Sequence, residues 1–167
     1  MGKNMTAITF RPYGKADVVT LMEIWNDVLE DGVAFPGEER YREEDFNKLL
    51  ESQSSVTCLM LAGEIVGFYI LHPNNIGRCS HVANASYAIS KKFRGRQFGK
   101  VLVEQSLKEA KHLGFRGMQF NAVVVGNKAA MHIYRQLGFE IIGTIKGGFR
   151  LKSGEYSDMH IMYKTLE

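Results

Sequence analysis

The chain has 167 residues, 45% hydrophobic and 11% aromatic, enough for one compact core over residues 1–167 and too few for a second. A net charge of +3 excludes nucleic-acid binding through bulk charge. Two cysteines, Cys58 and Cys79, and five histidines without ligand spacing exclude a disulfide framework and a metal site, and point to a reduced compartment.

The first ten residues hold no apolar core of signal-peptide length, and the most apolar run, Val56 to Leu71, is broken by Gly63, Glu64 and Gly67. A cytoplasmic protein without a membrane span is expected. Gly2 with Thr6 fits the permissive myristoylation pattern and is not taken as a lipid signal. Ile8 to Arg11 then reads as a strand ended by Pro12. Asp17 stands where it can cap a helix carrying Val18, Leu21, Trp25 and Val28 on one face, with Gly32 as the stop. A second helix is expected over Glu43 to Glu51, with Phe46, Leu49 and Leu50 inward.

Val56–Ala62 and Ile65–His72 read as a hairpin about a tight turn, broken after His72 by Pro73, Asn74 and Asn75. Asn84 to Ile89 reads as a strand. A helix from Gly99 to Leu113 places Val103, Leu107, Ala110 and Leu113 on one face and ends at Gly114. Met118 to Val125 is a strand, and Asn127 can cap a helix with Ala130, Ile133, Tyr134 and Leu137 before Gly138. Phe139–Ile145 and Ser157–Lys164 close the order, with Met159, Ile161 and Tyr163 alternating onto one face. The order β-α-α-β-β-β-α-β-α-β-β predicts an α/β or α+β domain around a mixed sheet.

The segment ISKKFRGRQFGK, residues 89–100, sets five basic side chains and two glycines between a strand and a helix. A helix start offers unpartnered N–H groups and partial positive charge, so this bare backbone suits an anion, with Arg94, Arg96 and Lys100 adding charged contacts. The spacing of Gly95 and Gly99 is one residue short of the nucleotide-triphosphate loop, and Val101 replaces its hydroxyl residue. The dinucleotide fingerprint is absent too. The plainer reading is a solvated basic turn. A second segment, GNKAAMHIYRQLGF at residues 126–139, bears on the choice.

With both segments in view the chain resembles the GNAT superfamily of acyl-CoA-dependent N-acyltransferases, over residues 7–165. Arg94 to Gly99 match its Arg/Gln-x-x-Gly-x-Gly/Ala motif, except that Gln97 stands where the middle glycine usually is. Asn127, Ala130, Ile133, Tyr134, Gly138 and Phe139 match its later motif. HPNNIGRCSHVANASYAIS, FRGMQFNAVV and residues 143–166 look like the branch with fungal acetyltransferases of proline analogues such as azetidine-2-carboxylate.

The resemblance implies a mixed, mostly antiparallel sheet with splayed middle strands, flanked by about four helices. It implies acetyl-CoA as cosubstrate, no metal, and direct attack by an amine on the thioester. Arg94, Gly95, Arg96, Gln97, Phe98, Gly99 and Lys100 would hold the pyrophosphate, and Asn127 would cap its helix while facing the pantetheine. Free backbone on Tyr87, Ala88 and Ile89 and on Phe120 to Ala122 would pair with the pantetheine, the amide near Ile89 taking the oxyanion. Tyr134 would protonate the leaving thiolate, or else pack in the core.

The middle strands carry no Asp or Glu to act as base. Asn121 and Asn84 would hold the amine or an ordered water, or else bond strand backbone; His81 is a base or a structural residue. Phe35, Tyr69 and Trp25 line the acceptor pocket or belong to the core, and Arg150 meets a substrate carboxylate or is a solvated loop residue. The expected acceptor is a small amino-acid-like amine, with a homodimer left open and neither nucleic acid nor membrane as partner. The competing readings are a protein-directed acetyltransferase, which would differ in the acceptor region at residues 30–42 and 72–80, a non-catalytic acyl-CoA sensor and a nucleic-acid-binding module.

Overall fold

The computed structural model describes residues 7–167. The Gly2 and Thr6 pattern lies outside the described residues. Among these, seven strands form one sheet in the order β1-β2-β3-β4-β5-β7-β6. They are β1 (Ile8–Pro12), β2 (Ser55–Leu61), β3 (Glu64–Pro73), β4 (Val82–Ile89), β5 (Gly117–Val124), β6 (Glu140–Arg150) and β7 (Tyr156–Thr165), and the helices are α1 (Val18–Asp31), α2 (Glu43–Glu51), α3 (Phe98–His112) and α4 (Lys128–Gln136). All neighbouring strands pair antiparallel except β4 and β5.

The sheet carries a core on each face. On one, α1 and α2 bury Leu21, Trp25, Phe46 and Leu50 against Phe68 and Ile70 of β3 and Ala88 of β4. On the other, α3 and α4 cover Tyr69, Leu71, Ala83, Ala85, Met118 and Phe120. α1 is amphipathic as its spacing predicts and stops at Gly32, whose φ of 65° is left-handed. A Cβ there would come within 2.5 Å of the Lys152 side chain, so glycine also lets the β6–β7 hairpin approach this helix end.

Four sequence expectations change. Asp17 does not cap α1 with its side chain; its carboxylate accepts from the Arg11 guanidinium at 2.7 and 3.0 Å and from the Gly14 N–H at 2.8 Å. Leu113 is 47% exposed because α3 ends one residue earlier, and Leu102 and Ser106 fill the buried face beside Val103 and Ala110. On β7 the fully buried residue is Met162, of opposite parity to Met159, Ile161 and Tyr163. β6 continues through the glycines to Arg150, with register breaks between Ile141 and Gly143 and between Ile145 and Phe149.

Candidate functional site

The site begins with a pairing that stops. β4 and β5 run parallel and pair only through Val82 with Gly117 and Ala83 with Met118. Beyond Ala83 the two strands part, so the middle of the sheet opens. In the β3–β4 ladder Ser90 N–H donates to Val66 C=O and Asn74 N–H to Val82 C=O, which fixes the alternation of the pairs between them. By that alternation the main-chain groups of Tyr87 and Ile89 face the opening, whereas Ala88 turns its backbone to β3 and its side chain into the α1–α2 core. Of the three β4 residues expected to offer free backbone, Ala88 therefore does not.

β5 forms the other edge with a bulge. Phe120 is opposite Met162 and Val123 opposite His160, so Asn121 and Ala122 together oppose Ile161 alone. Such a bulge re-aims side chains, and Asn121 points into the opening rather than to β7.

A cleft of about 440 Å³ runs through this opening. On the α3–α4 face it is walled by Tyr87, Gly99, Phe120, Asn127, Ile133 and Tyr134; on the α1–α2 face by Phe35, His72, Asn74, Asn84, Ser86 and Asn121. The Tyr134 ring lies 4.5 Å from that of Phe120 and 5.6 Å from that of Phe139. Burial holds its phenol well above the ordinary tyrosine range, so it stays protonated throughout the usual working pH. Tyr87 is likewise shifted up by burial, and its hydroxyl is tied to Ser106 Oγ at 2.6 Å.

The asparagines form a chain of amides. Asn74 Oδ1 accepts from Asn121 Nδ2 at 2.7 Å and from Asn84 Nδ2 at 3.2 Å, and Asn121 Oδ1 accepts from Gln119 Nε2 at 2.8 Å. Asn84 and Asn121 thus belong to one cluster. Its centre, Asn74, was read from the sequence as a strand breaker. His72 was placed with it in the acceptor region at residues 72–80 but was given no role of its own. Both depend on cross-strand register, and the one signal for them is the HPNN run at the end of a strand that lies opposite Asn84.

The basic loop is mostly consumed within the fold. Lys91 lies 3.5 Å from Asp27, Lys92 bonds Glu64 at 2.9 Å, and Arg94 bonds Asp31 at 2.7 Å while its Nε reaches Ile89 C=O at 3.3 Å. Asp27 and Asp31 sit in the C-terminal half of α1, where the helix dipole disfavours them and loop cations offset the charge. Arg94 is thus a fastener of the loop, a role the sequence reading did not give it. Arg96 stacks on Phe93 and Phe98, with centroid distances of 5.6 and 5.5 Å, and Lys100 is 4.0 Å from Glu104.

What remains for an anion is the start of α3, which no side chain caps, with Arg96 and Lys100 beside it. Gln97 takes φ 64° there and Gly95 φ 75°, so the glycine missing at position 97 is a left-handed position filled at some strain. Gly99 is packed: a Cβ on it would lie 3.2 Å from Ile133 Cδ1. At the start of α4, Asn127 Oδ1 accepts from the Ala130 N–H at 3.3 Å and so caps the helix, and the residue also lines the cleft.

Several sequence candidates lie elsewhere. Tyr69 is fully buried under α3 and donates to Glu109 Oε1 at 2.6 Å, so it does not reach the cleft. Trp25 is core, its ring 4.4 Å from Phe35, and only Phe35 reaches the cleft wall. His81 is exposed and outside the cleft. Arg150 pairs with Glu38 across a neighbouring groove. Among the described residues no group of His, Cys, Asp and Glu is placed to hold a metal, and no helix is long and apolar enough to cross a membrane.

The site can be set beside known proteins. A solved structure of a GCN5-related N-acetyltransferase from Kribbella flavida superposes with a TM-score of 0.89 at 29% identity, covering 96% of this chain and 98% of that one. N-acetyltransferase aca1 of Schizosaccharomyces pombe is 34% identical over 98 residues, which are 58% of this chain and 47% of that protein, so the chain spans about half the length of this relative. L-amino acid N-acetyltransferase AaaT of Escherichia coli is 28% identical over 110 residues, 66% of each chain. The family model described as acetyltransferase (GNAT) matches residues 19–139, most of the chain. With the opened β4–β5 pair and the uncapped start of α3 in place, the chain belongs to the acetyltransferase (GNAT) family.

Proposed function

We propose that the protein transfers an acetyl group from acetyl-CoA to the amine of a small amino-acid-like molecule, in the class that includes proline analogues. One observation carries this reading: the cleft passes through the sheet, with the Tyr134 phenol on one face and the Asn74, Asn84 and Asn121 amides on the other. Donor and acceptor reach one point from opposite sides. The names of aca1 and AaaT, both N-acetyltransferases and one acting on L-amino acids, support it.

The chain's residues fit the donor. The amides at the uncapped start of α3 suit a diphosphate, with Arg96 and Lys100 alongside. The main-chain groups of Tyr87 and Ile89 suit an extended amide-bearing arm, and an N–H on this edge suits the carbonyl oxygen as charge develops on it. The thioester supplies an acyl carbon and a leaving thiolate of ordinary pKa about 8.5. Tyr134, protonated because it is buried, donates its proton to that sulfur. On the other face Asn121 and Asn84, braced by Asn74, hold the amine and orient its lone pair.

Steady-state thiol release at saturating acetyl-CoA, against amino acids and cyclic imino acids, tests this. Tyr134→Phe is expected to lower kcat by about tenfold to a hundredfold and leave acetyl-CoA affinity unchanged. Equal kcat where chemistry limits the rate removes Tyr134 from the mechanism. Binding without release on any small amine overturns the small-molecule acceptor.

A further inference from the structure

We propose that His72 is the general base that deprotonates the acceptor amine, an assignment that rests on the acetyl-transfer reading above. An amine of pKa near 10 arrives as an ammonium and must lose a proton before it can attack. The middle strands supply no carboxylate for this. Among the described residues no Asp, Glu, Lys or Arg lines the cleft; its titratable side chains are His72 from β3, Tyr87 from β4 and Tyr134 from α4. β5 contributes Asn121, and the α1–α2 connection contributes Phe35, neither of which ionises. Tyr87 is tied to Ser106, and both phenols are held protonated by burial. Of the three, only the histidine offers a basic nitrogen lone pair when neutral.

Its placement suits the role. His72 is the cross-strand partner of Asn84, so both side chains leave the sheet on the acceptor face, beside the amide cluster and opposite Tyr134. His72 Nδ1 lies 2.9 Å from the Pro73 carbonyl oxygen. A carbonyl oxygen only accepts, so Nδ1 carries the hydrogen and the neutral ring keeps its lone pair on Nε2. The contact thus assigns the accepting lone pair to Nε2.

The balance closes without a further reactant. His72 Nε2 takes one proton from the ammonium, directly or through one water, and returns it to solvent. The amine lone pair forms the C–N bond as the carbonyl becomes an oxyanion. Collapse breaks the C–S bond, Tyr134 protonates the departing thiolate, and the second proton shed by nitrogen restores the phenol through solvent.

The test is kcat/KM for amine against pH, in wild type and His72→Gln, with acetyl-CoA affinity measured in each by calorimetry. Wild type is expected to show a second acid-side limb, reporting the base, in addition to that of the amine. His72→Gln is expected to lose that limb and about a hundredfold in kcat/KM at pH 7, to narrow the gap above pH about 9 as free amine becomes abundant, and to keep its acetyl-CoA affinity. A variant that keeps the limb, or one slowed equally at every pH, overturns the base assignment while wild-type turnover leaves the acetyl-transfer reading standing. Should the variant not fold, a wild-type profile with the amine limb alone overturns it equally. A wild type that binds no acetyl-CoA overturns the underlying reading, and this assignment with it.

Discussion

At the scale of single residues, Gln97 stands out in the loop because it carries a side chain at φ 64°. Left-handed backbone costs a non-glycine residue about 1–2 kcal/mol, and glycine gives part of that back through its looser unfolded chain. Gln97→Gly is therefore expected to stabilise the protein by about 1 kcal/mol, read from the midpoint of urea unfolding; a lower midpoint would mean that the Gln97 side chain holds the loop. The same loop shows what a sequence conceals about single residues. The charges of Lys91, Lys92 and Arg94 are visible, but their partners Asp27, Glu64 and Asp31 lie 28 to 64 positions away in the chain. Tyr69 was misplaced because an aromatic residue on a strand shows its type and not its face. The Glu109 carboxylate that receives its hydroxyl, along with those of Ser55 and Thr57, comes from a distant helix.

At the scale of elements, periodicity was enough to find the strands and helices and to order them. It did not find the feature that makes the site. The bulge at Asn121 and Ala122 and the end of β4–β5 pairing after Ala83 are relations between strands, and neither leaves a mark in one strand's own pattern. Asn74 and His72 fell within the expected acceptor region but received no individual role for the same reason. The junction of β1 and α1 gives an element-level test. Asp17 bonds the Arg11 guanidinium and the Gly14 N–H, with its side chain only 13% exposed. The bond from Arg11 is the chief cause that lowers its pKa below the usual 3.8. A carboxylate with a lowered folded pKa adds stability above its unfolded pKa and loses it as pH falls through the folded value. Asp17→Asn should accordingly cost about 1 kcal/mol at pH 7, and the difference from wild type should shrink as pH falls from the ordinary carboxylate value of 3.8 to where Asp17 is neutral as well. A constant difference in unfolding free energy down to that pH would assign the loss to packing.

At the scale of the whole molecule, the two cores hold opposite faces of one sheet apart at its centre. The α1–α2 core fixes the wall that carries Phe35, helped by Asn26, which clasps Tyr41 through its N–H at 2.8 Å and its C=O at 3.1 Å. The α3–α4 core fixes Tyr134 and the start of α3. The cleft is the seam between these layers, lined from both faces of the sheet. In the proposed function the α3 start is the seat of the acetyl-CoA diphosphate. Calorimetric titration of acetyl-CoA into wild type and into Gly99→Glu tests it most directly. The expected result is saturable one-to-one binding by wild type, weakened by about tenfold or more when a side chain and a negative charge enter the first turn of α3. No binding by wild type, or equal affinity in the two proteins, would contradict it.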